Sequence, residues 1–475
     1  MRLLISLILI CFIADTAQSQ YRIEGELAGY DQSEIYLGYY YADKQYLMDT
    51  SQVEKGKFVF EGSDTLKPGV YIVVMPPDNS YFQLMVNEGN PNFAFAGEKD
   101  RLEQTLKFDN SPDNQLFYEN LAFIGEQRKI VEELRQKLEM TEDEQVKTAP
   151  EEKLEAINLE VTSFQKELVA KNPDGLTATL VRSGFNIELP KFEGTEEEVQ
   201  RQRYIYYKKH YFDHIDLSDD RLLRTPQHVF FDRVYHYIEK LTPQHPDSII
   251  VSLDYILGKM EPAQEVYKYF LIEFLNKYAQ SKIVGMDAVY VHLALEYYGN
   301  GKAPWVDEWQ LKKIISNAED ASPTLIGKVA PNFIVQQKDG SNISLAEVKA
   351  LYIVLVFWAH DCSHCQTSMP ELVEFHKNFQ ESDSGIQVFS VCTKLNTDEP
   401  PCWDFVTEKN LEGLPNWINA SDQLGGRSYM HSLYNIKKTP KMFVLDGEKR
   451  IITKDLSVEQ LYEFFEQKLN SPTKG

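Results

Sequence analysis

The chain has 475 residues, too many for one hydrophobic core, so about two to four domains are expected. Hydrophobic content of 43% and charged content of 25% place it among ordinary globular proteins. A formal charge of -23 with no basic run excludes a nucleic-acid binder, which needs clustered Lys and Arg to displace counterions.

Residues 1–19 have the three parts of a secretory signal. Arg2 precedes an apolar stretch from Leu3 to Ile13, and small residues Ala17 and Ser19 stand third-last and last before a cut at Gln20. Export is therefore expected. Arg2 and Asp15 leave together, so the charge remains -23. Cys11 follows Ile10 rather than a small residue, which argues against lipid attachment. No later stretch approaches the ~20 consecutive apolar residues of a bilayer span.

From Tyr21 to about Phe108 short apolar runs alternate with turn residues. Residues 35–40, 57–62, 69–74, 82–86 and 92–95 read as strands, separated by Lys55-Gly56, Lys67-Pro68-Gly69 and Pro76-Pro77-Asp78-Asn79. The expected first domain, residues 20–110, is a small antiparallel β-sandwich. Residues 56–62, with Pro68-Gly69-Val70-Tyr71 downstream, resemble an N-terminal domain of unknown function fused to thioredoxin-like proteins in Bacteroidetes.

Beyond Asn114 the period becomes helical. Helices are predicted over 127–138, 153–168, 198–210, 226–240, 248–259, 263–278, 287–298 and 308–317, an all-α domain over residues 111–320. Residues 206–214, with 219–226 after them, resemble a helical insert of the same fused proteins.

Ala321-Ser322-Pro323 reads as a linker into a third domain, residues 326–475. Gly327, Ala330-Pro331, Phe333, Asp339-Gly340, Ser344-Leu345 and Phe357-Trp358 resemble the TlpA/ResA branch of the thioredoxin superfamily, whose exported members act on disulfides in the cell envelope. The expected fold class is thus multidomain α+β, closing with a thioredoxin-like α/β domain.

The chemistry is concentrated there. All four cysteines beyond the signal, Cys362, Cys365, Cys392 and Cys402, fall within one short stretch, which favours local redox chemistry over general stapling. Cys362 and Cys365, two residues apart after the apolar run Tyr352–Val356, sit where a strand should give way to a helix. Free N–H groups at a helix start stabilise a thiolate, so Cys362 is the expected nucleophile and Cys365 the buried resolving thiol. His364 between them is expected to favour the thiolate through its imidazole, partly opposed by the carboxylate of Asp361. The family resemblance implies that Thr439-Pro440 holds a cis peptide opposite the dithiol and docks the substrate strand; Trp358 and His364 are expected to shape the same substrate-contacting surface. For Cys392 and Cys402 the main reading is a structural disulfide, with a second redox pair or unpaired thiols as alternatives.

The function expected is an exported thiol-disulfide oxidoreductase, a reductase or isomerase in preference to an oxidase. Its expected partners are protein disulfide or dithiol substrates and an upstream envelope donor or acceptor of electrons. No cofactor is expected, and no metal: Cys362, Cys365, His360 and His364 lack the second, separate ligand pair of a structural zinc site. Two rival readings are a scaffold whose first two domains grip a partner, such as the substrate or another copy of the chain, and a thiol peroxidase. The peroxidase would need a threonine where Ala359 stands.

Overall fold

The computed structural model describes residues 20–87, 92–140, 144–380, 385–393, 401–422 and 429–470, so the expected signal lies outside them. The chain divides into two compact units, Met1–Thr242 with Ile256–Tyr267, and Pro243–Tyr255 with Lys268–Gly475. Helices of the region 111–320 therefore contribute to both.

In the first unit eight strands form two four-stranded sheets. They are β1 (Tyr21–Ala28), β2 (Glu34–Tyr41), β3 (Lys44–Gln52), β4 (Lys57–Gly62), β5 (Gly69–Met75), β6 (Ser80–Val86), β7 (Asn92–Glu98) and β8 (Lys107–Asp109). One sheet has the order β4-β1-β7-β8, the other β3-β2-β5-β6. Residues of β1 alternate between buried and exposed, the period of a sheet with one face on a core. Ile23, Phe60 and Phe93 of the first sheet join Leu37, Val73 and Leu84 of the second in one buried cluster.

The purely antiparallel arrangement expected needs correcting, because β1 and β7 run parallel, with Ile23 opposite Phe93. Five strands separate the two in sequence, and a connection that long lets β7 return in the same direction as β1. Gly25 in β1 has a packing reason: a Cβ there would lie 2.2 Å from the ring of Phe58, its cross-strand partner.

The helix Pro112–Glu139 starts with proline at its first turn, where the missing N–H costs nothing. Near its start Asn114 is fully buried. Its Oδ1 accepts the Met85 N–H at 2.7 Å, while its Nδ2 donates to the Met85 carbonyl and to Ser111 Oγ, each at 2.7 Å. One helical turn on, Tyr118 donates its hydroxyl to the Gln83 carbonyl at 2.9 Å. Glu196–His210 opens with a capping box between Thr195 and Glu198, and its three leading glutamates face the positive end of the helix dipole.

The second unit carries a seven-stranded sheet. Its strands are β9 (Ile334–Gln336), β10 (Asn342–Ser344), β11 (Tyr352–Trp358), β12 (Ile386–Cys392), β13 (Trp417–Ser421), β14 (Lys441–Asp446) and β15 (Ile451–Lys454), in the order β10-β9-β13-β12-β11-β14-β15. Central β11 runs parallel to β12 and antiparallel to β14. Val354, Val356 and Trp358 face one core, and Ile353, Leu355 and Phe357 face the other. Burial on both faces explains why this strand reads as an unbroken apolar run.

In the same unit, Lys454 of β15 is only 3% exposed, and its ammonium lies 2.6 Å from Asp287 Oδ2 and 2.6 Å from the Thr324 carbonyl. Two residues of the helical segment are thereby tied to the sheet. The helix predicted over 287–298 is α-helical for Asp287–His292 and continues as a π-helix over Leu293–Tyr298. No helix of the described residues is long and apolar enough to cross a membrane.

Candidate redox site

Strand β11 ends at Trp358, and the helix Ser363–Gln380, with Pro370 inside it, begins just after Cys362. Cys362 occupies the N-cap position: its carbonyl accepts the Gln366 N–H at 3.1 Å, and its own N–H reaches the Ala359 carbonyl at 3.2 Å. A side-chain acceptor at an N-cap takes hydrogen bonds from the open N–H groups of the first turn. Here the acceptor is sulfur.

Partial burial pushes the Cys362 thiol up, but hydrogen bonds from the Thr439 side chain, the Cys365 thiol and the N–H groups of Cys365 and His364 outweigh it. The net effect lies below the ordinary thiol value. When protonated, Sγ donates to the Thr439 carbonyl at 3.2 Å. Cys365 contrasts with it. Fully buried among apolar side chains, its thiol is pushed up to about 12, chiefly by desolvation and against a backbone hydrogen bond at Ala359. Both thiols are free. A half-exposed thiol of lowered pKa stands beside a buried thiol held neutral.

Thr439-Pro440 is a cis peptide and abuts Cys362 through that carbonyl. His364 is exposed, and the contribution it makes to the Cys362 thiolate is its backbone N–H. The expectation that its imidazole does this work gives way to a backbone effect, since position two of any helix presents an N–H to the cap.

Trp358 is 1% exposed, donates Nε1–H to Ser390 Oγ at 2.8 Å and packs at a tilt against Phe405 with centroids 4.6 Å apart. It therefore supports the site from inside the core, and its placement on a substrate-contacting surface is corrected. As the last residue of a strand whose alternate side chains face the core, it has no route to solvent.

Cys392 and Cys402 are joined by a disulfide with Cα atoms 6.1 Å apart, both fully buried. Cys392 lies opposite Trp358 in the parallel β11–β12 pairing, so the disulfide stands at the same sheet end as the dithiol. It ties the helix Pro401–Glu408 to β12. His360 Nδ1 is buried and unpartnered, and the ring lies within 4.8 Å of both sulfurs. These three residues are the one metal-ligand group close enough to hold an ion among those described, but two of its donors are already bonded to each other.

Sequence reasoning missed a polar brace under the site. Thr393 donates its N–H to the Trp358 carbonyl at 2.8 Å, His431 Nε2 meets Thr393 Oγ1 at 3.2 Å, and His431 Nδ1 meets the Ile436 carbonyl at 2.8 Å. The only signal was that these residues follow β12 and precede Thr439; nothing in their spacing joins them.

Three family models cover most of the chain. Residues 326–453 match the AhpC/TSA family, residues 144–323 the domain of unknown function DUF5106, and residues 21–117 the domain of unknown function DUF4369. The thiol-disulfide oxidoreductase ResA of Bacillus cereus is 28% identical over 156 residues, spanning 32% of this chain and 82% of that protein. The thioredoxin domain of a thiol-disulfide oxidoreductase from Bacteroides vulgatus is 25% identical over 30% of this chain and 98% of that one, with a TM-score of 0.27. A thioredoxin-like protein from Bacteroides caccae is 18% identical over 60% of this chain and 100% of that one, with a TM-score of 0.43.

Proposed function

We propose, from the premise that residues 326–453 form a thioredoxin-fold domain of the AhpC/TSA family, that this protein is an exported thiol-disulfide oxidoreductase working through Cys362 and Cys365. The observation that carries the reading is the split between the two thiols, one lowered at a helix N-cap and the other buried and raised to about 12. The name of the Bacillus cereus relative agrees with it.

The Cys362 thiolate attacks one sulfur of a substrate disulfide. That S–S bond breaks, a substrate thiolate leaves and takes a proton from solvent, and a mixed disulfide joins Cys362 to the substrate. Cys365 then loses its proton and attacks Cys362 Sγ, releasing the second substrate thiolate. The substrate gains two electrons and the enzyme becomes the Cys362–Cys365 disulfide, which an envelope dithiol donor must reduce. Keeping Cys365 neutral until the mixed disulfide forms confines first attack to Cys362. Thr439-Pro440, against Cys362, is where the substrate backbone would dock.

The direction is reductase or isomerase. The groups that lower Cys362 are neutral hydrogen-bond donors, a weaker thiolate stabilisation than a strong oxidant requires. The signal over residues 1–19 supports a periplasmic or envelope location. Equilibration of the mature protein with glutathione, followed by alkylation of free thiols, tests the reading. A Cys362-dependent couple on the thioredoxin side of the scale is expected; its absence, judged against Cys362→Ser, would overturn the assignment.

A further inference from the structure

The second unit has a cleft of about 660 Å³, walled by the helical segment 278–290 and by residues of the stretch 435–441, which also carries Thr439. Its charge is opposite to that of the chain. Lys282, Lys437 and Lys438 line it, all exposed and with no ion pair among the described residues. The other charges facing it are already neutralised: Lys441 pairs with Asp455 at 2.6 Å, and Asp287 pairs with Lys454 at 2.6 Å. Three ammonium groups without ion pairs among the described residues thus line the cleft, Lys282 on one wall and Lys437 and Lys438 on the other, in a protein whose formal charge is -23.

Lys438 immediately precedes Thr439, whose carbonyl lies 3.2 Å from Cys362 Sγ. A polypeptide whose disulfide is held at Cys362 must extend past the neighbouring loop, and the cleft lies along that loop. Ile283, 60% exposed, and the partly buried ring of Tyr290 add apolar surface between the lysines.

The geometry points to this cleft as a subsite for an acidic segment of the substrate polypeptide, next to its reacting disulfide. The inference rests on the oxidoreductase reading above and extends it to a substrate class. It also gives the helical segment before the thioredoxin-fold domain a task, because Lys282 comes from that segment. Charge complementarity of this kind acts mainly on encounter and selectivity and is screened by salt.

The test compares two synthetic peptides that share one intrachain disulfide, one flanked by Asp and Glu and the other by Lys and Arg. Their kcat/KM values are measured with the full mature protein, alongside its rate on the neutral reagent bis(2-hydroxyethyl) disulfide. A preference for the acidic peptide on the order of tenfold at low salt is expected from three exposed charge pairs of modest strength. It should shrink severalfold at high salt. In the triple variant K282E/K437E/K438E the preference should invert. Equal rates on both peptides, or a salt-independent preference, would overturn the acidic subsite while leaving turnover of the neutral reagent intact. Loss of Cys362-dependent turnover of that reagent would instead overturn the oxidoreductase reading and this inference with it. Should the variant fail to fold, the wild-type salt dependence alone decides.

Discussion

Selective alkylation offers a direct reading of the two thiols. Only the thiolate reacts with iodoacetamide, so the rate at each cysteine follows its ionised fraction and its access. Burial raises Cys365 from an ordinary 9.0 to about 12. At pH 8 its ionised fraction is then about one in ten thousand, against about one in ten for an ordinary thiol, roughly a thousandfold suppression before access is counted. Cys362, lowered and half-exposed, should react faster than an unstructured cysteine at the same pH. The assay is anaerobic reduction, timed alkylation at pH 8 and peptide mass spectrometry, with the urea-unfolded chain as reference, in which both residues should label alike. Labelling of folded Cys365 within about tenfold of the Cys362 rate would refute the claim that burial holds its proton.

The same shift has a stability counterpart. The folded state binds the Cys365 proton more tightly than the unfolded chain, so its contribution is complete below pH 9.0 and is lost as pH rises towards about 12. The loss reaches about 4 kcal/mol at most, and urea midpoints of reduced wild type should fall across that window more steeply than those of Cys365→Ala. Thr439→Val removes a hydroxyl that lowers Cys362, so thiolate absorbance at 240 nm should titrate at higher pH than in wild type; an unchanged titration would dismiss that hydrogen bond. Asn114→Leu leaves the N–H and carbonyl of Met85 without partners inside the protein, at about 1–3 kcal/mol each, and the urea midpoint of the first unit should drop accordingly. Lys454→Met leaves Asp287 and the Thr324 carbonyl unanswered; a cost of about 1–3 kcal/mol is expected in the second unit, and an unchanged midpoint would mean that water replaces the ammonium.

Much of the fold could be read in the sequence because single periods carried it. The runs around Ile35 and Phe58 alternate between more and less buried residues, those around Val70 and Phe82 are largely buried apolar runs, and all four form strands. β3 was not predicted, since most of its residues are exposed and neither face is apolar enough to reveal a period. The helix Leu176–Ser183 escaped as well: its buried side includes Thr177, Thr179 and Ser183, which look like loop residues until their hydrogen-bond partners are known. At the site, a dithiol at a strand-to-helix junction is a local pattern and legible as such. The neutral donors at Cys362, the interior place of Trp358 and the Thr393–His431 brace are products of tertiary register, and no spacing in the chain encodes them.

Asn114 and Tyr118 also bear on how the protein behaves when concentrated. β6 ends its sheet, and an end strand offers a row of open backbone groups on which another chain can add a strand. Here the side-chain amide of Asn114 pairs with Met85 in both directions, as a neighbouring peptide unit would, and the Tyr118 hydroxyl covers Gln83 two residues away. The first turns of one helix thus act as a false strand that closes this border against edge-to-edge aggregation.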